Sequence, residues 1–224
     1  MEFNKLIDGL TTQGGDFLRN MSDEDMEKHL PWVYNLKGRL QPPKWHPEGD
    51  AFVHTYLVVD RAVELGGDPQ EVFGAMCHDL GKAVTPDDNL PHHYDHESLG
   101  VPLVHKLCDA FNAPDSFRET AWRASKYHLL VHKLNELKTI TRVRLIRNLG
   151  QYQASVGLIS QADAQGRGPE FINKPYPQRN LLAQIHHAMN ELGGEGEKID
   201  QIIVRYIDDA GMGKKKSNER RSRR

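Results

Sequence analysis

His78 and Asp79 stand side by side in the stretch AMCHDLGKAVTP, where an apolar run gives way to Gly81 and Lys82. An imidazole and a carboxylate at a helix end can share one cation if it sits close to that end, because helix neighbours point ~100° apart. Further donors must then come from other helices. His54, flanked by Val53 and Leu57, falls one turn into the preceding helix. Asp163 lies on the stripe of Val156 and Ile159 and so faces a core. A carboxylate there needs a partner, since burying it alone is costly. Two imidazoles and two carboxylates suit a divalent ion such as Mn, Fe, Ni, Co or Zn, with positions left for water. One HD pair is common by chance, so the rest of the chain must decide.

The elements that would position these groups read as helices nearly throughout. Phe3, Leu6, Ile7 and Leu10 follow helical spacing, and Ser22 with three acidic residues opens a second helix. Three prolines between Arg39 and Gly49 exclude helix there. A helix is expected from about Asp50 to Leu65, ended by Gly66 and Gly67. Asp68, Pro69 and Glu71 start the next, which should run to Leu80 with Gly81 as its stop. His96 to Phe111 should bury Leu99, Leu103, Leu107 and Ala110, with Pro102 near the first turn. Pro114 opens a helix through His128; Ile140, Val143, Ile146 and Leu149 mark another, and Tyr152 to Asp163 a third. A loop follows to Gln178, then two more helices, the last with Ile199, Ile202, Ile203, Tyr206 and Ile207 on one face. The expected fold is all-α, a bundle of roughly eight to ten helices. Residues 1–44 would form a helical extension, 45–210 the main domain and 211–224 a basic tail.

Composition narrows the function classes. The chain has 224 residues and two cysteines, Cys77 and Cys108, in no C-x-x-C pattern, so a disulfide framework is not expected and a reducing cytoplasm is. No apolar run approaches the ~18 residues of a membrane span, and the first residues have no signal-peptide core. The last eleven residues, KKKSNERRSRR, hold seven of the 29 basic residues and one of the 31 acidic ones. The remainder is acidic, 22 against 30, so only residues 214–224 suit a loose RNA contact. Ten of the twelve histidines lie between His29 and His132.

Four stretches carry a resemblance. WHPEGDAFVHT from Trp45, CHDLGKAVTP from Cys77, HHYDHESLGVPLVHKLC from His92 and ADAQGRGPEFINKPYPQ from Ala162 resemble the HD domain of bacterial CCA-adding tRNA nucleotidyltransferases. The likeness covers Trp45 to Leu192. It implies the HD-domain helical bundle, with His54, His78, Asp79 and Asp163 as ligands of a divalent metal (Mn, Ni, Co, Fe, Mg or Zn). Asp79 would bridge if two ions bind. His96 and His128 match the histidines that hold a second ion in two-metal HD phosphodiesterases, or else they contact substrate phosphate. The first 44 residues cannot hold the nucleotidyltransferase domain, so nucleotide addition is not expected.

Other residues are candidates for substrate contact. Lys82, straight after the HDLG run, and Arg167, just past Asp163, could meet phosphoryl oxygens; Arg142, His92, His93 and His132 are further options. His96 or His128 could protonate a leaving oxygen. Glu48 could orient His54. Tyr176 and Gln178 either shape the pocket or pack, and Cys77 reads as a buried small residue. The expected activity is metal-dependent phosphatase or 2′,3′-cyclic phosphodiesterase action on nucleotides or RNA ends. A free (d)NTP or dNMP phosphohydrolase and a weakly catalytic RNA-binding module are the alternatives. Neither metal count nor oligomeric state follows from the sequence.

Overall fold

The computed structural model describes residues 1–191 and 196–209, the side chains of 196–199 and 208 excepted. Four helical segments come first: α1 (Phe3–Gln13), α2 (Gly15–Arg19), α3 (Asp23–His29) and α4 (Pro31–Tyr34). The main bundle follows with α5 (Ala51–Glu64), α6 (Pro69–Cys77), α7 (His96–Phe111), α8 (Asp115–His132), α9 (Thr139–Leu149), α10 (Gln153–Gln165), α11 (Pro177–Glu191) and α12 (Gly196–Asp209). Nine of these segments have nine residues or more, and no strand occurs among the described residues, only an isolated bridge between Leu40 and Asp50. The fold is all-α, as the periodicity indicated. No helix of the described residues is long and apolar enough to cross a membrane.

Helix starts follow the expected chemistry. Ser22 caps α3 through Asp25 N, and Asp50 caps α5 through Phe52 N and Val53 N. Asp68 and Glu71 form a complete capping box at α6, each satisfying the other's backbone N–H. Two apolar clusters hold the bundle together. One joins α1 to α8 and part of α10, centred on Phe73, Met76, Leu107 and Ile159. The other lies under α9, α11 and α12, with Ile146, Leu182, Ile203 and Ile207. The first 44 residues share the first cluster: Phe3 packs edge-on against Phe73 at 5.7 Å and Phe117 at 5.0 Å. The side chain of Ile199 and the basic residues 214–224 lie outside the described residues.

Three local expectations are corrected. The sixth helix stops at Cys77, not Leu80; Asp79 leaves helical geometry and Leu80–Val84 winds as a 3-10 turn. Pro102 lies in the second turn of α7, where it removes the N–H that would reach the Ser98 carbonyl. The buried stripe of α7 is Gly100, Leu103, Val104, Leu107, Cys108 and Phe111, while Leu99 and Ala110 face out. Ile140 is also exposed.

The early stop of α6 has a visible cause. The 3-10 turn lies directly against the start of α7, so close that a Cβ on Gly81 would stand 1.9 Å from His96 O and 2.6 Å from Gly100 N. Only glycine permits this approach, and it brings the start of α7 beside Asp79. Gly81→Ala should therefore destabilise the protein by about 3 kcal/mol, the upper part of the overpacking range. Denaturant unfolding checks this; a variant as stable as the parent would show that the turn and α7 are free to separate.

Candidate metal centre

Five helices deliver one cluster of buried imidazoles and carboxylates. His54 comes from the first turn of α5, His78 from the end of α6, and Asp79 from the turn that follows. His96 opens α7, His128 and His132 lie one turn apart on α8, and Asp163 sits near the end of α10. The expected helix through His128 runs one turn further, which is what aligns His132 with it. All seven are buried except His132, which is partly so.

Asp79 is the centre. Its Oδ2 lies 3.1 Å from His78 Nε2 and 3.7 Å from His54 Nε2, while its Oδ1 lies 3.2 Å from His96 Nε2 and 3.6 Å from His128 Nε2. The carboxylate thus stands between two pairs of imidazoles, one pair on each oxygen. Donor atoms ~2.1 Å from a common ion lie ~3 Å apart, which is the spacing seen. His54, His78 and Asp79 form one group able to hold an ion, and Asp79, His96 and His128 a second. Asp163 approaches the first group, with Oδ1 3.1 Å from His54 Nε2.

The imidazoles are turned for ligation. Nδ1 of His78 donates to Ala75 O at 2.7 Å, that of His96 to His93 O at 2.7 Å, and that of His128 to Ala124 O at 3.0 Å. Each Nε2 is left facing the cluster with its lone pair, a tautomer assigned from these bonds. His54 turns Nδ1 to Glu48 Oε1 at 2.7 Å, a carboxylate behind a ligand imidazole. Nε2 of His78, Nε2 of His96 and Oδ1 of Asp79 are buried without a hydrogen-bond partner. Buried polar atoms are rarely left so. The donor set therefore fits a divalent cation.

Electrostatics agree. Burial opposes charge on Asp79, yet His78, Lys82 and His96 hold its carboxyl well below the usual range. Burial likewise opposes charge on Asp163, and His132, Arg167 and His54 overcome it. Burial would also lower His78, but Asp79 and Asp163 beside it raise its pKa. Burial drives His128 down to about 3, so it is neutral, the form that ligates. Burial pushes the Cys77 thiol well up, consistent with an inert core cysteine.

The remaining candidates have defined places. Lys82 Nζ donates to Asp79 Oδ2 at 2.5 Å and also to Gln41 Oε1. Arg167 spans Asp163 Oδ1 and Trp45 O, each at 3.2 Å. His132 joins Asp163 Oδ2 at 2.6 Å to the Tyr176 hydroxyl at 2.8 Å, and Gln178 Nε2 donates to His132 O at 3.3 Å. His93 has both ring nitrogens engaged, by Thr85 Oγ1 at 2.7 Å and Leu40 O at 3.0 Å. His92 stacks on Tyr94 at the surface, and the buried guanidinium of Arg142 binds Leu134 O and Asn135 O.

Two contributors escaped the sequence reading. His46 donates from Nδ1 to Glu48 Oε1 at 2.9 Å, and its ring packs 4.7 Å from that of His54. Its signal was the spacing His46-x-Glu48 inside the WHPEGD stretch. Gln41, 2% exposed, gave no local signal at all.

Comparison with known proteins agrees with this geometry. The model of the HD domain matches residues 51–164, the span that holds His54, His78, Asp79, His96, His128, His132 and Asp163. The Multifunctional CCA protein of Methylococcus capsulatus is 41% identical over 179 residues, covering 77% of this chain and 42% of its own length. That of Haemophilus influenzae is 38% identical over 180 residues, covering 75% of this chain and 42% of its own. That of Mannheimia succiniciproducens is 34% identical over 193 residues, with 82% and 45% covered. The chain thus spans less than half the length of these curated relatives. No solved structure matches. With more than half of the sequence matched, and matched over the helices that converge on Asp79, this chain belongs to the HD-domain family of metal-dependent phosphohydrolases.

Proposed function

We propose that the protein is a metal-dependent phosphatase and 2′,3′-cyclic phosphodiesterase acting on nucleotides or RNA ends. The observation that carries this reading is the Asp79 carboxylate, buried between two pairs of imidazoles, with the Nε2 atoms of His78 and His96 left without a partner. His54, His78 and Asp79, with Asp163 beside them, would hold one ion; Asp79, His96 and His128 would hold a second. Such ions supply an activated water and neutralise phosphoryl oxygens during in-line attack. The nucleotide and RNA-end substrate class is supported by likeness to proteins named Multifunctional CCA protein.

The chain's own groups then have distinct parts. Lys82 places an ammonium on the Asp79 side of the cluster, where it can meet a phosphoryl oxygen. Arg167 holds Asp163 in place and is itself fixed by Trp45 O. His132, tied to Tyr176, holds the second oxygen of Asp163. His128, with Nδ1 held by Ala124 O and Nε2 turned to Asp79, is assigned to metal holding. His96 remains the candidate acid for the leaving oxygen when a single ion is bound. His93, with both nitrogens engaged, supports the turn around Thr85 rather than the substrate.

A panel of 2′,3′-cyclic nucleotides, nucleoside monophosphates and deoxynucleoside triphosphates, each with Mn, Ni, Co or Mg, tests this reading. Turnover of the cyclic and monophosphate esters, lost on chelation, is expected; turnover of triphosphates alone, or none, would refute it. His78→Ala and Asp79→Ala should each lower kcat at least ~1,000-fold while the far-ultraviolet circular dichroism stays that of the parent. Glu48→Gln, which keeps the shape behind His54 but removes the charge, should weaken metal binding ~10–100-fold by calorimetry. Unchanged affinity in that variant would mean that Glu48 serves the loop alone.

A further inference from the structure

Gln41 precedes the main bundle, yet it reaches the HD turn. Its backbone N–H donates to Gly49 O at 2.8 Å, beside the bridge between Leu40 and Asp50. Arg39 next to it donates from Nε to Lys82 O at 3.0 Å and from Nη2 to Thr85 Oγ1 at 2.9 Å. Leu40 O accepts from His93. Residues 39–41 are therefore fastened to the turn at several points, and the Gln41 side chain has a fixed address.

That address is the ammonium of Lys82. Lysine has donors only, so the carboxamide must turn its oxygen to Nζ, which settles the amide orientation. Nε2, on the same carbon, is then left beside Lys82, buried and without any partner. An N–H in that state costs about 1–3 kcal/mol unless a ligand completes it. Lys82 has a third donor beyond the two bonds to Asp79 and Gln41. Gln41, Lys82 and Asp79 are all nearly fully buried, at 2%, 5% and 2% exposure, and the two bonds from Lys82 Nζ join them.

We infer that Gln41 is a substrate-binding residue: its Nε2 donates to an anionic oxygen of the phosphoryl group, while its Oε1 holds Lys82 alongside as the charged half of a donor pair. This deepens the hydrolase reading and rests on it for the identity of the anion. Neutral and charged donors side by side suit a phosphoryl oxygen, which accepts more than one hydrogen bond.

Inorganic phosphate titrated calorimetrically into the manganese-loaded 224-residue chain tests the inference directly. Gln41→Met preserves length and removes both polar atoms. Gln41→Glu keeps an oxygen for Lys82 but lacks the N–H. Both should weaken phosphate at least tenfold, with manganese affinity within twofold of the parent. A role confined to packing would instead lower the melting temperature and leave phosphate affinity alone, and that result overturns the inference. Phosphate affinity within twofold of the parent in Gln41→Glu overturns it as well. Gln41-dependent phosphate binding in a protein that hydrolyses no ester would uphold the donor pair and refute the hydrolase. Hydrolysis with parental phosphate affinity in both variants would do the reverse.

Discussion

A carboxylate withdrawn from water with four imidazoles around it is the constraint on which the structure turns. Asp79 is 2% exposed and ionised, and two of the neighbouring Nε2 atoms have no hydrogen-bond partner. A buried charge of this kind is destabilising by several kcal/mol unless paired. Lys82 offsets part of it. A divalent cation answers the same need with better geometry, because the Nδ1 bonds to backbone carbonyls already hold the imidazoles open.

The bundle is arranged to make that convergence possible. An abrupt stop in α6 frees Asp79 from the helix, and Gly81 lets α7 come near enough to bring His96 in. The added turn of α8 aligns His132 with His128 and passes the Asp163 carboxylate on to Tyr176. Glu48 and His46 form a backing layer behind His54, and burial opposes the Glu48 charge less than their hydrogen bonds favour it, holding it at about 2. The N-terminal segments contribute twice: Phe3 closes the core over Phe73, and residues 39–41 clamp the turn after the HD pair.

Much of this was legible in the order of residues. The helix cap at Asp68 announces itself by type and spacing, and so do the HD pair and the core-facing Asp163. What stayed hidden is long-range. Gln41 meets Lys82 across 41 residues, with no periodicity to report it. Leu99 matched the apolar stripe of α7 yet faces solvent, because the close contact at Gly100 and Gly81 rotates the buried face by about one residue. The helix ends at Cys77, three residues before Leu80, for the same reason: a glycine signals a break, but the partner helix decides where it falls.

The most direct check of the central claim is an anomalous difference map from crystals grown with manganese. A peak within about 2.3 Å of His78 Nε2 and an Asp79 oxygen, with His54 in the same sphere, is the result this account requires. Manganese bound elsewhere, or an empty cluster with Asp79 satisfied by Lys82 alone, would contradict it.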